Sequence, residues 1–214
     1  MNTTRKIKFS FLAVAALILL VSLALASCGG GGGGGGTSPP TPTSVINLPK
    51  TGQIVSYPTA TSPDDGFYKR GVAWPSPRFT VASSGTGTVV SDNLTGLMWA
   101  SDPTLSSLCS AGTTTAWQGA LDYVACLNTN NYLSHTDWRL PNRKELRSLA
   151  DYSQYSPSLP SGHPFTNVQA FYYWSSTTYA GSPADAWLVG MNGGVVLAVN
   201  KTSGYYVWPV RSGQ

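Results

Sequence analysis

Residues Gly29 to Gly36 are eight consecutive glycines, and Thr37-Ser38-Pro39-Pro40-Thr41-Pro42-Thr43-Ser44 follows directly. Neither run carries side chains that could bury a core, so neither can belong to a packed domain. The glycines read as a flexible coil and the prolines as a stiffer spacer, together spanning roughly 20–24 Å. The chain therefore divides into an apolar leader over 1–27, a tether over 28–48 and a single folding unit over 49–214.

The leader starts with Arg5, Lys6 and Lys8, and a mostly apolar stretch runs from Phe11 to Ala26. That stretch is short of the about twenty residues a membrane span needs. Small residues Ala26 and Ser27 suit a peptidase cleavage site. With the cysteine that follows, Leu25-Ala26-Ser27-Cys28 resembles a bacterial lipoprotein signal. The resemblance implies cleavage before Cys28, a lipid thioether on Cys28, and a protein anchored in the cell envelope, at an outer membrane or the cell surface.

The whole chain has 13 Lys/Arg against 9 Asp/Glu, a formal charge of +4. Three of the cations lie in the leader, so beyond it the signs nearly balance. A globally basic nucleic-acid binder is excluded on that ground. Beyond Cys28 only Cys109 and Cys126 remain. An even pair in an exported chain reads as a disulfide, and closing that loop stabilises by about 3 kcal/mol in the chain-entropy model. Two thiols without His ligands at metal spacing make no zinc site.

Asp64-Asp65-Gly66 reads as a turn, since two adjacent carboxylates fall far short of a calcium cage. Phe79-Thr80-Val81 and Thr88-Val89-Val90 read as a hairpin, and Gly96 to Ala100 as a further strand. A helix is expected over 116–128, with Thr115 and Gln118 as its capping box and Trp117, Ala120, Leu121, Val124 and Leu127 on one apolar face. A second helix is expected over 143–152, entered through Pro141, capped by Asn142 and Glu145, and buried through Leu146, Leu149 and Ala150. Strands are expected over 172–177, 186–191 and 195–200, the last two joined at Asn192-Gly193-Gly194, with Tyr205 to Arg211 closing the chain. Strands, two helices and then antiparallel strands argue for an α+β domain.

Four ordered segments carry a resemblance. Asn93-Leu94-Thr95-Gly96-Leu97-Met98-Trp99, Asp137-Trp138-Arg139-Leu140-Pro141-Asn142-Arg143-Lys144-Glu145-Leu146, Tyr173-Trp174-Ser175-Ser176-Thr177 and Val207-Trp208-Pro209-Val210-Arg211 resemble the Lcl C-terminal domain family, named for a domain of a bacterial collagen-like adhesin. The resemblance implies a C-type-lectin-like fold, with two helices flanking a small antiparallel sheet and long loops. It also implies binding of sulfated glycosaminoglycans, the ligand of that adhesin. No collagen repeat is present, so its trimer is not carried over. From the residues themselves, Trp138, Trp174 and Trp208 read as core, Arg139 as an ion-pair partner of Asp137, and Glu145 as a cap.

An adhesin reading and an enzyme reading make different demands. Formylglycine-generating enzymes share the lectin-like class and a similar Arg-Leu-Pro segment, but they need reactive cysteines late in the domain, and none follows Cys126. His135 and His163 are the two histidines, no His-Glu-x-x-His motif is present, and Ser175 and Ser176 lack an evident base. No catalytic residue, metal or cofactor is therefore expected. The triplets by which calcium-dependent lectins hold sugar are absent too. Candidate ligand residues are Arg143, Lys144 and Arg147, about one helical turn of cations suited to a polyanionic glycan. An alternative is a protein-binding face on the C-terminal strands. There Trp187, Val189 and Met191 would be buried, and Leu188, Gly190, Asn192, Val196 and Ala198 would face out. Some lectin-like relatives vary such positions through diversity-generating retroelements. The anchor is the firmest functional expectation: Cys28→Ser should move the protein from the membrane fraction to the soluble one, and retention with membranes would refute lipidation.

Overall fold

A computed structural model describes residues 48–57, 63–104, 106–109 and 113–213. The leader, Cys28 and the glycine and proline runs lie outside the described residues. Among the described residues no helix is long and apolar enough to cross a membrane.

The elements are α1 (Asp65–Tyr68), β1 (Phe79–Ser84), β2 (Gly87–Asp92), β3 (Leu97–Ala100), α2 (Trp117–Thr129), α3 (Arg143–Ser148), β4 (Tyr172–Thr178), β5 (Asp185–Gly190), β6 (Val196–Asn200) and β7 (Val210–Ser212). They form an α+β domain with two antiparallel sheets, one ordered β1-β2-β3-β7 and the other β4-β5-β6. The β1–β2 hairpin closes Ser84 on Gly87, leaving a two-residue turn whose Gly85 has φ +58°. That backbone favours glycine because it lacks a Cβ.

The C-terminal segment stitches the sheets together. Tyr206 N–H donates to Tyr172 C=O and Trp174 N–H to Tyr206 C=O. Ala100 N–H donates to Pro209 C=O, and Val210 and Arg139 exchange both backbone bonds. One extended stretch thus satisfies donors from β3, β4 and the approach to α3, where bare backbone groups would otherwise be buried. Trp208 lies at its centre, fully buried. Its ring meets Phe165, Tyr173 and Trp99 at centroid distances of 4.9, 5.4 and 5.8 Å, and its indole N–H donates to Ala100 C=O.

Two apolar cores result. One gathers Trp138, Trp174, Leu188 and Val207 under α2, with Ala120, Val124 and Leu127 supplying the helix stripe. The other gathers Trp99, Leu146, Leu149, Tyr173, Val189 and Trp208 beneath α3. Burial also pushes the Tyr123 phenol up to about 12, although its oxygen accepts from Ser106 N–H. Arg78 and Asp92 form an ion pair buried between the β2 end and the α3 end. Asp92 also accepts from Leu94 N–H and the Thr95 hydroxyl, while Arg78 donates to Ser148 C=O. These extra bonds offset the cost of taking both charges out of water.

Three local expectations are corrected. Asp64-Asp65-Gly66 opens the single helical turn α1, because the Asp64 carboxylate caps Phe67 N–H. The N-cap of α2 is Ala116 without a side-chain bond. Thr115 instead pairs with Tyr205 through both backbone groups, and Gln118 donates to Asp122, so no capping box forms there. Helix α3 stops at Ser148 rather than Tyr152. Asp151 N–H is taken by Ser158 C=O and Tyr152 N–H by Thr51 C=O, while the Asp151 carboxylate accepts from Ser153. An Asx turn outcompetes another helical turn.

Cys109 and Cys126 are disulfide-bonded, with Cα atoms 5.8 Å apart. The bond ties the loop before α2 to that helix. Trp208 is fully buried among three other rings, and Trp208→Ala should lower unfolding free energy by about 3–5 kcal/mol in denaturant titration. A loss under about 1 kcal/mol would show that the cluster is not the keystone of the fold.

Candidate functional site

Helix α3 begins where Pro141 ends the preceding extended segment. The Asn142 side chain accepts from Lys144 and Glu145 N–H, and the Glu145 carboxylate accepts from Asn142 N–H. This is the reciprocal capping box expected from the sequence. Glu145 also takes both terminal nitrogens of Arg139, at 2.7 and 2.8 Å. The bidentate geometry is the strong form of such a pair. Partial burial opposes ionisation of Glu145. The Arg139 hydrogen bonds, the Asn142 N–H and the Arg139 charge outweigh it and hold the carboxyl below its ordinary value.

The expected Asp137–Arg139 pair does not form. Asp137 accepts from Arg211 at 2.6 Å instead. The Arg139–Val210 bridge brings β7 alongside residues 137–139, so the partner comes from the far end of the chain. The Arg211 hydrogen bond holds the Asp137 carboxyl low, against its partial burial.

With Glu145 committed to Arg139, the other three cations of this region are left without a carboxylate. Among the described residues, Arg143, Lys144 and Arg147 make no salt bridge. Arg143 N–H donates to the Thr177 hydroxyl, fixing the helix to β4, and its guanidinium lies 4.5 Å over the Trp187 ring. Arg147 donates to the Tyr152 hydroxyl at 2.8 Å, with its guanidinium 5.8 Å from the same ring. Lys144 is exposed. Aromatic faces hold the two guanidinium groups in place without neutralising them. These aromatic supports were missed in the sequence because Trp187 lies in a distant strand and Tyr152 was expected inside the helix rather than in the loop after it.

The alternative strand face is not an open surface. Leu188 is 0 % exposed and Gly190 is buried, so neither faces out. A Cβ on Gly190 would meet the Asn192 Oδ1 at 2.6 Å and the Tyr172 ring at 2.8 Å. Val196, Ala198 and Asn192 are half-buried, and Val196 packs on the core under α3. β5 is a central strand covered on both sides, with Ala186 and Leu188 toward α2 and Val189 and Met191 toward α3. Alternation between a wet and a dry face holds only when one face is wet.

A serine–histidine contact also occurs. Ser84 Oγ is 3.3 Å from His135 Nε2. The Ser84 hydroxyl is hydrogen-bonded to Leu133 C=O, and Asp137, the nearby carboxylate in sequence, is held by Arg211. The oriented base that a nucleophilic triad requires is not assembled. Burial lowers the affinity of both His135 and His163 for a proton.

The family model of the Lcl C-terminal domain matches residues 88–211, which run from within β2 to within β7 and include α2 and α3 whole. The chain belongs to the Lcl C-terminal domain family. No curated protein matches it. Membership in the Lcl C-terminal domain family points to a surface- or adhesion-related domain, and that family is in general non-enzymatic.

The Arg139–Glu145 link predicts a pH dependence. A depressed carboxyl stabilises the fold above its ordinary value near 4.5 and loses that contribution as pH falls through the lower folded value. Glu145→Gln should cost about 0.5–1 kcal/mol at pH 7, and the gap to wild type should shrink in urea titrations as pH falls through that lowered value. A gap that does not shrink as the pH is lowered would locate the effect outside the ionised pair.

Proposed function

We propose that this protein is a lipid-anchored binding module of the cell envelope whose folded domain, C-type-lectin-like in architecture, adheres to a polyanionic glycan. The anchor rests on the resemblance of residues 1–28 to a lipoprotein signal. The lectin-like reading is supported by a sheet in which β7 lies beside β3, bringing the chain end to the early strands, and by the helices α2 and α3 packed on the second sheet. The observation that carries the binding reading is the set of unpaired cations on α3, two of them steadied by aromatic rings, in a member of a surface-associated family. The domain acts by binding rather than catalysis, its Cys109 and Cys126 thiols being bonded to each other instead of poised for oxygen chemistry.

Exposed charges contribute modestly each, so a polyvalent partner is the natural one. Three at about 0.5 kcal/mol amount to about tenfold in affinity. Heparin retention should fall as salt rises, because exposed charge contacts are screened. Replacing Arg143, Lys144 and Arg147 together by Ala should weaken it about tenfold while the circular dichroism stays unchanged. Unchanged retention by a folded triple variant would remove α3 as the binding element.

A further inference from the structure

Residues 48–72 lie outside the family match, which begins at residue 88. Backbone contacts fold them into a small unit. Lys50 N–H donates to Val72 C=O and Val72 N–H to Leu48 C=O, tying the two ends together. Gly66 of α1 is buried so close to Val55 C=O that no Cβ would fit between them. Thr51 C=O accepts from Tyr152 N–H and Lys50 C=O from the Trp74 indole, which fixes the unit to the domain. Its apolar side chains join neither core. Leu48 is 68 %, Ile54 65 %, Tyr57 75 % and Phe67 64 % exposed, and Val55, Tyr68 and Val72 are exposed too. Single exposed apolar residues are ordinary, but this many on one short unit mark a contact surface.

The charges of the unit divide into spent anions and free cations. Asp64 accepts from the Ser56 hydroxyl, the Gln53 amide and the N–H groups of Tyr57 and Phe67, and Asp65 accepts from the Thr51 hydroxyl. Both carboxylates are thus engaged within the unit. Lys50, Lys69 and Arg70 make no salt bridge among the described residues. Lys69 and Arg70 are exposed, and the Arg70 guanidinium lies 5.0 Å over the Tyr68 ring. Aliphatic side chains, tyrosines with apolar faces and polar tips, and adjacent cations suit the boundary between lipid tails and head groups.

Chain connectivity selects the occupant. Cys28 precedes Leu48 by 20 residues. A chain of that length reaches about 70 Å even when fully extended, so a lipid on Cys28 keeps this unit near the bilayer. Tethering raises the effective concentration to the order of millimolar, at which a patch too weak to bind alone is engaged. We propose that residues 48–57 and 63–72 dock the domain onto the bilayer that holds its anchor. Ile54, Tyr57, Phe67 and Tyr68 enter the head-group layer, and Lys50, Lys69 and Arg70 meet the phosphates of anionic lipids. This inference rests on the lipid-anchor reading and adds a second contact with the same membrane.

The test uses the protein extracted from membranes and reconstituted in vesicles of phosphatidylcholine mixed with phosphatidylglycerol. Flotation reads the anchor, and hydrogen exchange followed by mass spectrometry over residues 48–57 reads docking. Exchange there should be about fivefold slower in wild type than in Phe67→Ser with Tyr68→Ser on the vesicles, and equal for the two in detergent. Both rings are exposed and the α1 cap is made by Asp64, so the variant keeps its melting temperature. Lys69→Gln with Arg70→Gln should speed exchange on these vesicles and leave it unchanged on phosphatidylcholine alone. Protein that floats while wild type and the serine variant exchange alike on vesicles would overturn docking and leave the anchor standing. A gap of the same size in detergent would place the effect in the folding of the unit and overturn docking as well. Protein that does not float refutes the anchor, and this inference falls with it.

Discussion

The Trp208 indole is the contact on which the architecture depends. It occupies the place where β3, β4 and the loop carrying Phe165 converge, and it spends its one hydrogen-bond donor on Ala100 C=O. A Trp is rarely buried completely because its N–H needs a partner. Here the partner is a backbone carbonyl at the end of β3, so burial and sheet geometry specify each other. The residues on either side continue the same work: Tyr206 bonds to β4, and Val210 to Arg139. The chain end is therefore a structural strap between the two sheets.

That strap also sets the charges near α3. By pairing with residues 137–139 it delivers Arg211 to Asp137 and releases Arg139 to take Glu145 in bidentate fashion. Glu145, the single glutamate of the chain, then serves both the helix cap and the ion pair. Arg143, Lys144 and Arg147 make no salt bridge among the described residues. Lys144 and Arg147 are exposed and Arg143 is half-buried, in a chain whose charges beyond the leader nearly balance. Trp187 and Tyr152 orient the two guanidinium groups and keep them from spreading into solvent at random.

Where sequence reading succeeded, the signal was local. The Asn142–Glu145 capping box depends on a three-residue spacing, the β1–β2 hairpin on a glycine turn, and the Cys109–Cys126 bond on the two cysteines that lie within the folded domain. Where it failed, a distant residue took the group in question. Thr115 was lost to Tyr205, Asp137 to Arg211, and the last turn of α3 to Ser158 and Thr51. Leu188 and Gly190 failed for another reason. A strand with both faces covered shows no difference between its odd and even positions, so periodicity cannot choose an outside.

By itself the sequence determined the α+β order of elements, the family and the cations of α3. Each of these is written in composition, spacing or a contiguous motif. Tertiary structure alone decided which carboxylate Arg139 and Arg211 take, which strand is central, and that Trp187 and Tyr152 lie against Arg143 and Arg147. Those outcomes depend on residues brought together from separate segments, and a side chain's partner is the nearest group in space rather than along the chain.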